Sequence, residues 1–157
     1  MSNQVTKISV SPEQMNRAAA VGPKAALQSV HLVNVNAMLD TRDGVVAKHV
    51  RHTRSHSFER IGESAISVTI RFGVDIASSE EEKAEPPTSI ECKYVLNYLI
   101  DDLQNFDDDH LLAFSQINGY FNAWPFWREL TTSMLARSKS GFFLLPTLRV
   151  DQSLTDK

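Results

Sequence analysis

Two stretches of the chain alternate apolar and polar residues with a period of two. Ile66, Val68, Ile70, Phe72, Val74 and Ile76 alternate with Ser67, Thr69, Arg71, Gly73 and Asp75, and Ile90, Cys92, Tyr94, Leu96, Tyr98 and Ile100 alternate with Glu91, Lys93 and Asn97. Such a period puts the apolar side chains on one face of a strand, so each stretch predicts a strand with one buried face. Upstream, residues 25–39 have the β-branched and apolar content of a strand, closed by Asp40-Thr41-Arg42-Asp43-Gly44, and a more polar strand is expected over 45–58. An acidic, proline-ended loop over 78–87 separates the two alternating strands. Four strands in succession with no helix between them imply antiparallel pairing.

The pattern changes on either side of these strands. Ser11-Pro12-Glu13 supplies an N-cap, a proline at the first helical position and an acid in the first turn, which predicts a short helix to about Ala20, ended by Gly22-Pro23. Asp107 to Asp109 place negative charge where the macrodipole favours it, at the start of a helix through about Ile117 that Gly119 loosens or breaks. Pro125 suits a first turn, so a second helix is expected from Pro125 to Ser138, or one helix kinked there. Phe142-Phe143-Leu144-Leu145-Pro146 is apolar but too short for a helix. Sheet first and helices after predict an α+β fold, with 1–24 as an N-terminal extension and 25–157 as the domain.

Composition narrows the classes of function. The 157 residues suit one domain able to bury about two thirds of its unfolded surface. The single Cys92 excludes an internal disulfide, and the polar segment from Met1 to Val10 has no apolar core of a signal peptide, so a reducing cytoplasm is expected. No run approaches the ~20 apolar residues of a membrane span. A net charge of -3 argues against general nucleic-acid binding. The charge is uneven, however: Arg42, Lys48, Arg51, Arg54 and Arg60 face only Asp43 and Glu59 within 42–60, while acids crowd 80–85 and 101–109. Such runs are ordinarily solvated, and the functional alternative is docking of a charged partner.

Residues with catalytic potential are sparse. Cys92 lies in phase with Ile90 and Tyr94 and is expected in the core. His49, His52 and His56 lack a fourth ligand at a recognised spacing, so no metal site is expected. With no phosphate-cradling glycine loop, paired-cysteine motif or nucleophile elbow, the sequence predicts no catalytic residues, no cofactor and no enzyme. The apolar supply is generous instead. Tyr120, Phe121, Trp124, Phe126 and Trp127, followed by Met134 and then Phe142, Phe143 and Leu145, exceed what one thin sheet covers. Part of this set belongs to the core, and the excess predicts oligomerisation, an exposed client-binding groove, or both. A methionine among aromatics suits a surface that accommodates varied apolar segments.

The segment Gly119-Tyr120-Phe121, then Trp124-Pro125-Phe126-Trp127-Arg128-Glu129, then Thr132-Ser133-Met134 with Arg137, resembles the signature of the SecB family of protein-export chaperones. The resemblance extends over about Leu27 to Pro146, with a cysteine early in the last strand. It implies a four-stranded antiparallel sheet followed by long helices, assembly as a dimer of dimers, and ATP-independent holding of unfolded polypeptide. It also implies that Tyr120, Trp124, Phe126, Trp127, Phe142 and Phe143 line the groove or the subunit interface. The family's acidic docking positions for the translocation motor SecA fall on Asn34, Met38 and Lys93, none of them acidic. The usual proline after the glycine of the last segment is replaced by Gly141-Phe142-Phe143, and the further C-terminal helix is not evident. The N-terminal extension is similar to that of SecB-like chaperones of toxin-antitoxin systems. The expectation is therefore a homotetrameric chaperone for a dedicated client such as an antitoxin, ahead of general export through SecA. An interaction module using Arg42 to Arg60 is the alternative from another class.

Overall fold

The computed structural model describes residues 6–138 and 144–152. Strand β1 (Thr6–Val10) leads into helix α1 (Pro12–Val21), followed by the four long strands β2 (Ala25–Met38), β3 (His49–Ile61), β4 (Ala65–Ala77) and β5 (Thr88–Ile100). Helix α2 (Asp108–Phe114), a π-turn (Ser115–Gly119) and helix α3 (Tyr120–Ala136) come next, and β6 (Leu148–Gln152) closes the described chain. The α+β arrangement, the antiparallel four-stranded sheet and the short N-terminal helix agree with the pattern of the sequence.

The sheet order is β2-β5-β4-β3, all antiparallel. The register puts Ile66 opposite Tyr98, Val68 opposite Leu96, Ile70 opposite Tyr94 and Phe72 opposite Cys92, and all eight are buried. Their alternation therefore builds one continuous inner face, which α3 and the π-turn cover. The second strand differs from expectation, running from His49 to Ile61 rather than 45–58. Its ladder begins where the Lys48 amide donates to the Ala77 carbonyl, and it ends only at Gly62, whose φ of 63° is the left-handed conformation that the tight connection to β4 requires.

Gly119 does not break the helical run. Its φ and ψ are -60° and -48°, and α2, the π-turn and α3 are contiguous. The second helix thus starts at Tyr120, with Pro125 inside it rather than at its first turn. Pro125 is exposed, as is Phe121, whose carbonyl loses its helical donor, so water can satisfy that carbonyl on the solvent side.

Strands β1 and β6 were not expected, and they pair in parallel from Thr6 with Leu148 to Val10 with Gln152. Ile8 and Val10 are buried, and the Arg54 guanidinium donates to the Lys7 carbonyl at 2.8 Å, tying β1 to β3. At α1, Ser11 and Gln14 form a reciprocal capping box behind Pro12.

Candidate functional site

Residues directly opposite in an antiparallel ladder project from the same side of the sheet. Leu27 stands opposite Tyr98, Val30 opposite Leu96, Leu32 opposite Tyr94 and Val35 opposite Cys92, so these four share the inner face with the buried side chains of β5. The helices lie against β3, β4 and β5 but leave β2 largely uncovered. Leu27, Leu32 and Val35 are accordingly 41%, 45% and 36% exposed although they face inward. Register shifts after Leu27 and after Leu32 return the apolar residues to that face across two extra residues, Gln28 and Val33.

Helix α3 forms the border of this strip. The Phe126 ring centroid is 6.4 Å from that of Tyr94, which neighbours Leu32 across the ladder, and the Asn122 amide donates to the Tyr98 hydroxyl at 2.8 Å. Phe126 remains 46% exposed. Leu27, Leu32, Val35, Tyr94 and Phe126 thus bring an unfilled apolar strip together at the open edge of the sheet. On another side of α3, Pro125, Arg128, Thr132 and the exposed Leu144 line an open concavity of about 450 Å³. Phe121, 44% exposed, precedes it by one helical turn.

The other aromatics of the segment pack inside the chain. Trp127 stacks on Phe72 at 5.6 Å with an interplanar angle of 12°, and Trp124 and Tyr120 meet the same ring at 5.5 and 5.8 Å. Their spacing along α3, with Thr131 and Leu135 continuing it, makes one buried stripe. Leu145 is fully buried, and its carbonyl and that of Pro146 accept from Arg128 Nε (3.0 Å) and Trp124 Nε1 (3.2 Å). Met134 is half-buried against the core. Of the residues singled out in the sequence, Tyr120, Trp124, Trp127 and Leu145 are therefore core in this chain, while Phe121 and Phe126 are surface. Phe142 and Phe143 lie outside the described residues.

Neither the cysteine nor the tyrosines of the inner face are primed for chemistry. Burial pushes the Cys92 thiol and the Tyr98 hydroxyl each up to about 12, opposed for Tyr98 by the Asn122 hydrogen bond, and burial also raises Tyr94 and Tyr120. His52 and His56 lie on the inner side of β3 on either side of Arg54, and both are held below the usual imidazole range by burial and then by that guanidinium. His56 Nδ1 lies 3.2 Å from the Tyr120 hydroxyl, with the rings edge to face at 5.5 Å. Among the described residues no three His, Cys, Asp or Glu side chains are placed to hold a metal. No described helix is long and apolar enough to cross a membrane.

The basic segment is largely engaged internally. Arg42 pairs with Asp40 and Glu82, holding Asp40 below its usual range and Glu82 down to about 2. Arg51 pairs with Asp75, Arg54 with the Lys7 carbonyl and the Tyr120 ring, and Arg60 with Asp108 and the Phe106 carbonyl. These contacts leave little of the segment for a charged partner. On the outer face of the sheet, Asn34 stands opposite Lys93 and Met38 opposite Ser89, with Lys93 in turn opposite Arg71.

No family model and no curated protein matches the chain. Among solved structures, the Mycobacterium tuberculosis Rv1957 SecB-like chaperone, in complex with a ChAD peptide from the Rv1956 HigA1 antitoxin, superposes with a TM-score of 0.71 at 14% identity, over 87% of this chain and 96% of that one. A protein of unknown function from Streptococcus agalactiae gives a TM-score of 0.39 at 11% identity over 78% of this chain and 97% of that one. The fold of this chain is SecB-like.

Proposed function

We propose that this protein is a chaperone that holds non-native polypeptide by apolar contact, with a dedicated client of the antitoxin kind. The observation that carries the reading is the inner-face strip of Leu27, Leu32 and Val35 beside Phe126, large apolar side chains exposed next to a complete core. An extended peptide laid along β2 buries apolar surface there at about 25 cal/mol per Å², less the cost of ordering the peptide. The long edge of β2, unpaired among the described residues, adds main-chain donors and acceptors that ignore the peptide's sequence. The mycobacterial protein of the same fold binds an antitoxin peptide, which supports the dedicated role over general export. Holding of this kind needs neither nucleotide nor metal. The same strip also suits contact with a second copy, so the working form is a homo-oligomer in which part of the strip is an interface and part receives the client.

The test is suppression of aggregation of a thermally unfolding reporter enzyme, without nucleotide, by wild type and by a Leu32→Ser/Phe126→Ser variant. The wild type should suppress aggregation at near-stoichiometric ratios and the variant should need several times more. Equal suppression by a variant of unchanged mass and melting temperature would remove the strip from client binding.

A further inference from the structure

The outer face of the sheet carries many serine, threonine and asparagine side chains, with a cationic pair at its centre. One row across the strands reads Ser55, Arg71, Lys93 and Asn34, with Arg71 and Lys93 directly opposite one another in the β4–β5 ladder. Like charges in that relation destabilise a sheet. Neither side chain has an ion-pair or hydrogen-bond partner among the described residues, Glu91 on the diagonal across the ladder included. Asp75, four residues along β4 on the same face, is already taken by Arg51 and by the Ser89 hydroxyl. Arg51, Arg54 and Arg60 all find partners, so Arg71 stands apart from the other arginines of the four-stranded sheet, and Lys93 with it.

The pair lies in a concavity of about 340 Å³ lined also by Asn34, Thr53, Ser55 and Glu91. The amide and hydroxyl groups add donors on either side of the two charges, an arrangement that matches carboxylates better than an apolar or cationic group. No described element covers this face, and the overall charge of -3 makes a positive centre there a local feature.

We propose that the outer face of the sheet docks an acidic segment of a partner polypeptide through Arg71 and Lys93, separately from the apolar strip on the inner face. Arg71 and Lys93 neutralise carboxylates of the segment, while Asn34, Thr53 and Ser55 donate to their remaining lone pairs. Glu91, the one carboxylate among the described residues of the concavity, opposes such a ligand and limits how many acids fit beside it.

The probe is a fluorescein-labelled, acetylated decapeptide of alternating Glu and Ser, titrated into the full-length protein and followed by anisotropy. A Lys/Ser decapeptide and a ten-nucleotide oligouridylate serve as comparators. At an ionic strength of about 0.02 M the acidic peptide should bind and the Lys/Ser peptide should not, and binding should weaken markedly by about 0.15 M as screening sets in. Arg71→Ser/Lys93→Ser should lower the affinity at least about tenfold. Both side chains project from the solvent side, so the double variant should melt no lower than wild type. Glu91→Gln gives an independent readout and should tighten the acidic peptide severalfold. Unchanged affinity in the double variant, no gain from Glu91→Gln, or tighter binding of the oligouridylate than of the peptide would each overturn the proposal.

Discussion

Gly119 rides directly on Ile70: a β-carbon at 119 would lie 2.9 Å from Ile70 Cδ1 and 3.1 Å from Val68 Cγ1. The backbone there is ordinary helix, so it is close approach rather than φ that excludes a side chain. The missing side chain lets the π-turn settle against β4 and sets the depth at which Tyr120, Trp124 and Trp127 enter the core. Gly119→Ala should therefore destabilise. Forcing a methyl into a packed contact costs about 1–3 kcal/mol, against roughly 1 kcal/mol gained from the better helix former. The expected net loss is about 1 kcal/mol by urea denaturation. Gly119→Ala combined with Ile70→Val should lose less than the sum of the two single changes, because removing Cδ1 relieves the clash. Strict additivity would show that the contact does not set the packing.

Two adjacent residues of α3 should respond in opposite ways. Trp127 is 1% exposed and stacked on Phe72, so Trp127→Ala should cost about 3–5 kcal/mol and lower the melting temperature sharply. Phe126, 46% exposed, has Tyr94 alone as an aromatic neighbour among the described residues, so Phe126→Ala should stay within about 1 kcal/mol of wild type while weakening the holding of unfolded chains. Calorimetry beside an aggregation assay separates the two. A Phe126→Ala protein that melts as low as Trp127→Ala would place that ring in the core.

These contrasts show what the sequence made legible. The inner faces of β4 and β5 could be read because a strict period of two survives along both strands, from Ile66 to Ile76 and from Ile90 to Ile100. The β2 strip could not, because its irregularities space the inward residues as Leu27, Val30, Leu32 and Val35, which matches neither a strand nor a helix. The signature around Trp124 marked the right helix, yet periodicity did not separate Trp127 inside from Phe126 outside, since that depends on which side of α3 meets Phe72. Strand β1 was obscured for another reason. Ile8 and Val10 do alternate, but a five-residue strand carries meaning only once its partner β6, more than a hundred residues away, is known.

The open edge of β2 carries a prediction about assembly. Leu32→Lys/Val35→Lys puts two charges on the inner side of that edge, at exposed positions where the isolated chain tolerates them. Light scattering at micromolar concentration should give a multiple of the 17.6 kDa chain for wild type and a smaller mass for the variant. A wild-type monomer would sink the oligomeric reading, and an unchanged mass in the variant would move the interface away from β2.

Stability should also fall on mild acidification, through the histidines on either side of Arg54. Burial first and the Arg54 charge second hold His52 and His56 below the ordinary value of 6.5. Besides that guanidinium, the inner side of β3 sets the Tyr120 hydroxyl against His56 and the Lys7 carbonyl against Arg54, with no carboxylate among the described residues bonded to either imidazole. The unfolded chain therefore takes up protons first as pH drops, so the contribution of the neutral imidazoles is complete above about 6.5 and is lost as pH falls through their folded values. Asp40, Glu80, Glu82 and Asp107 are also depressed, but from ordinary values of 3.8 to 4.5, so their contributions fade only in more acidic solution. The urea midpoint should thus decline between about pH 7 and pH 5.5. In His52→Gln/His56→Gln that decline should flatten, since no imidazole remains beside Arg54 to titrate. A wild-type midpoint that stays level or rises over this window would show that the two histidines are protonated in the fold as readily as in the open chain.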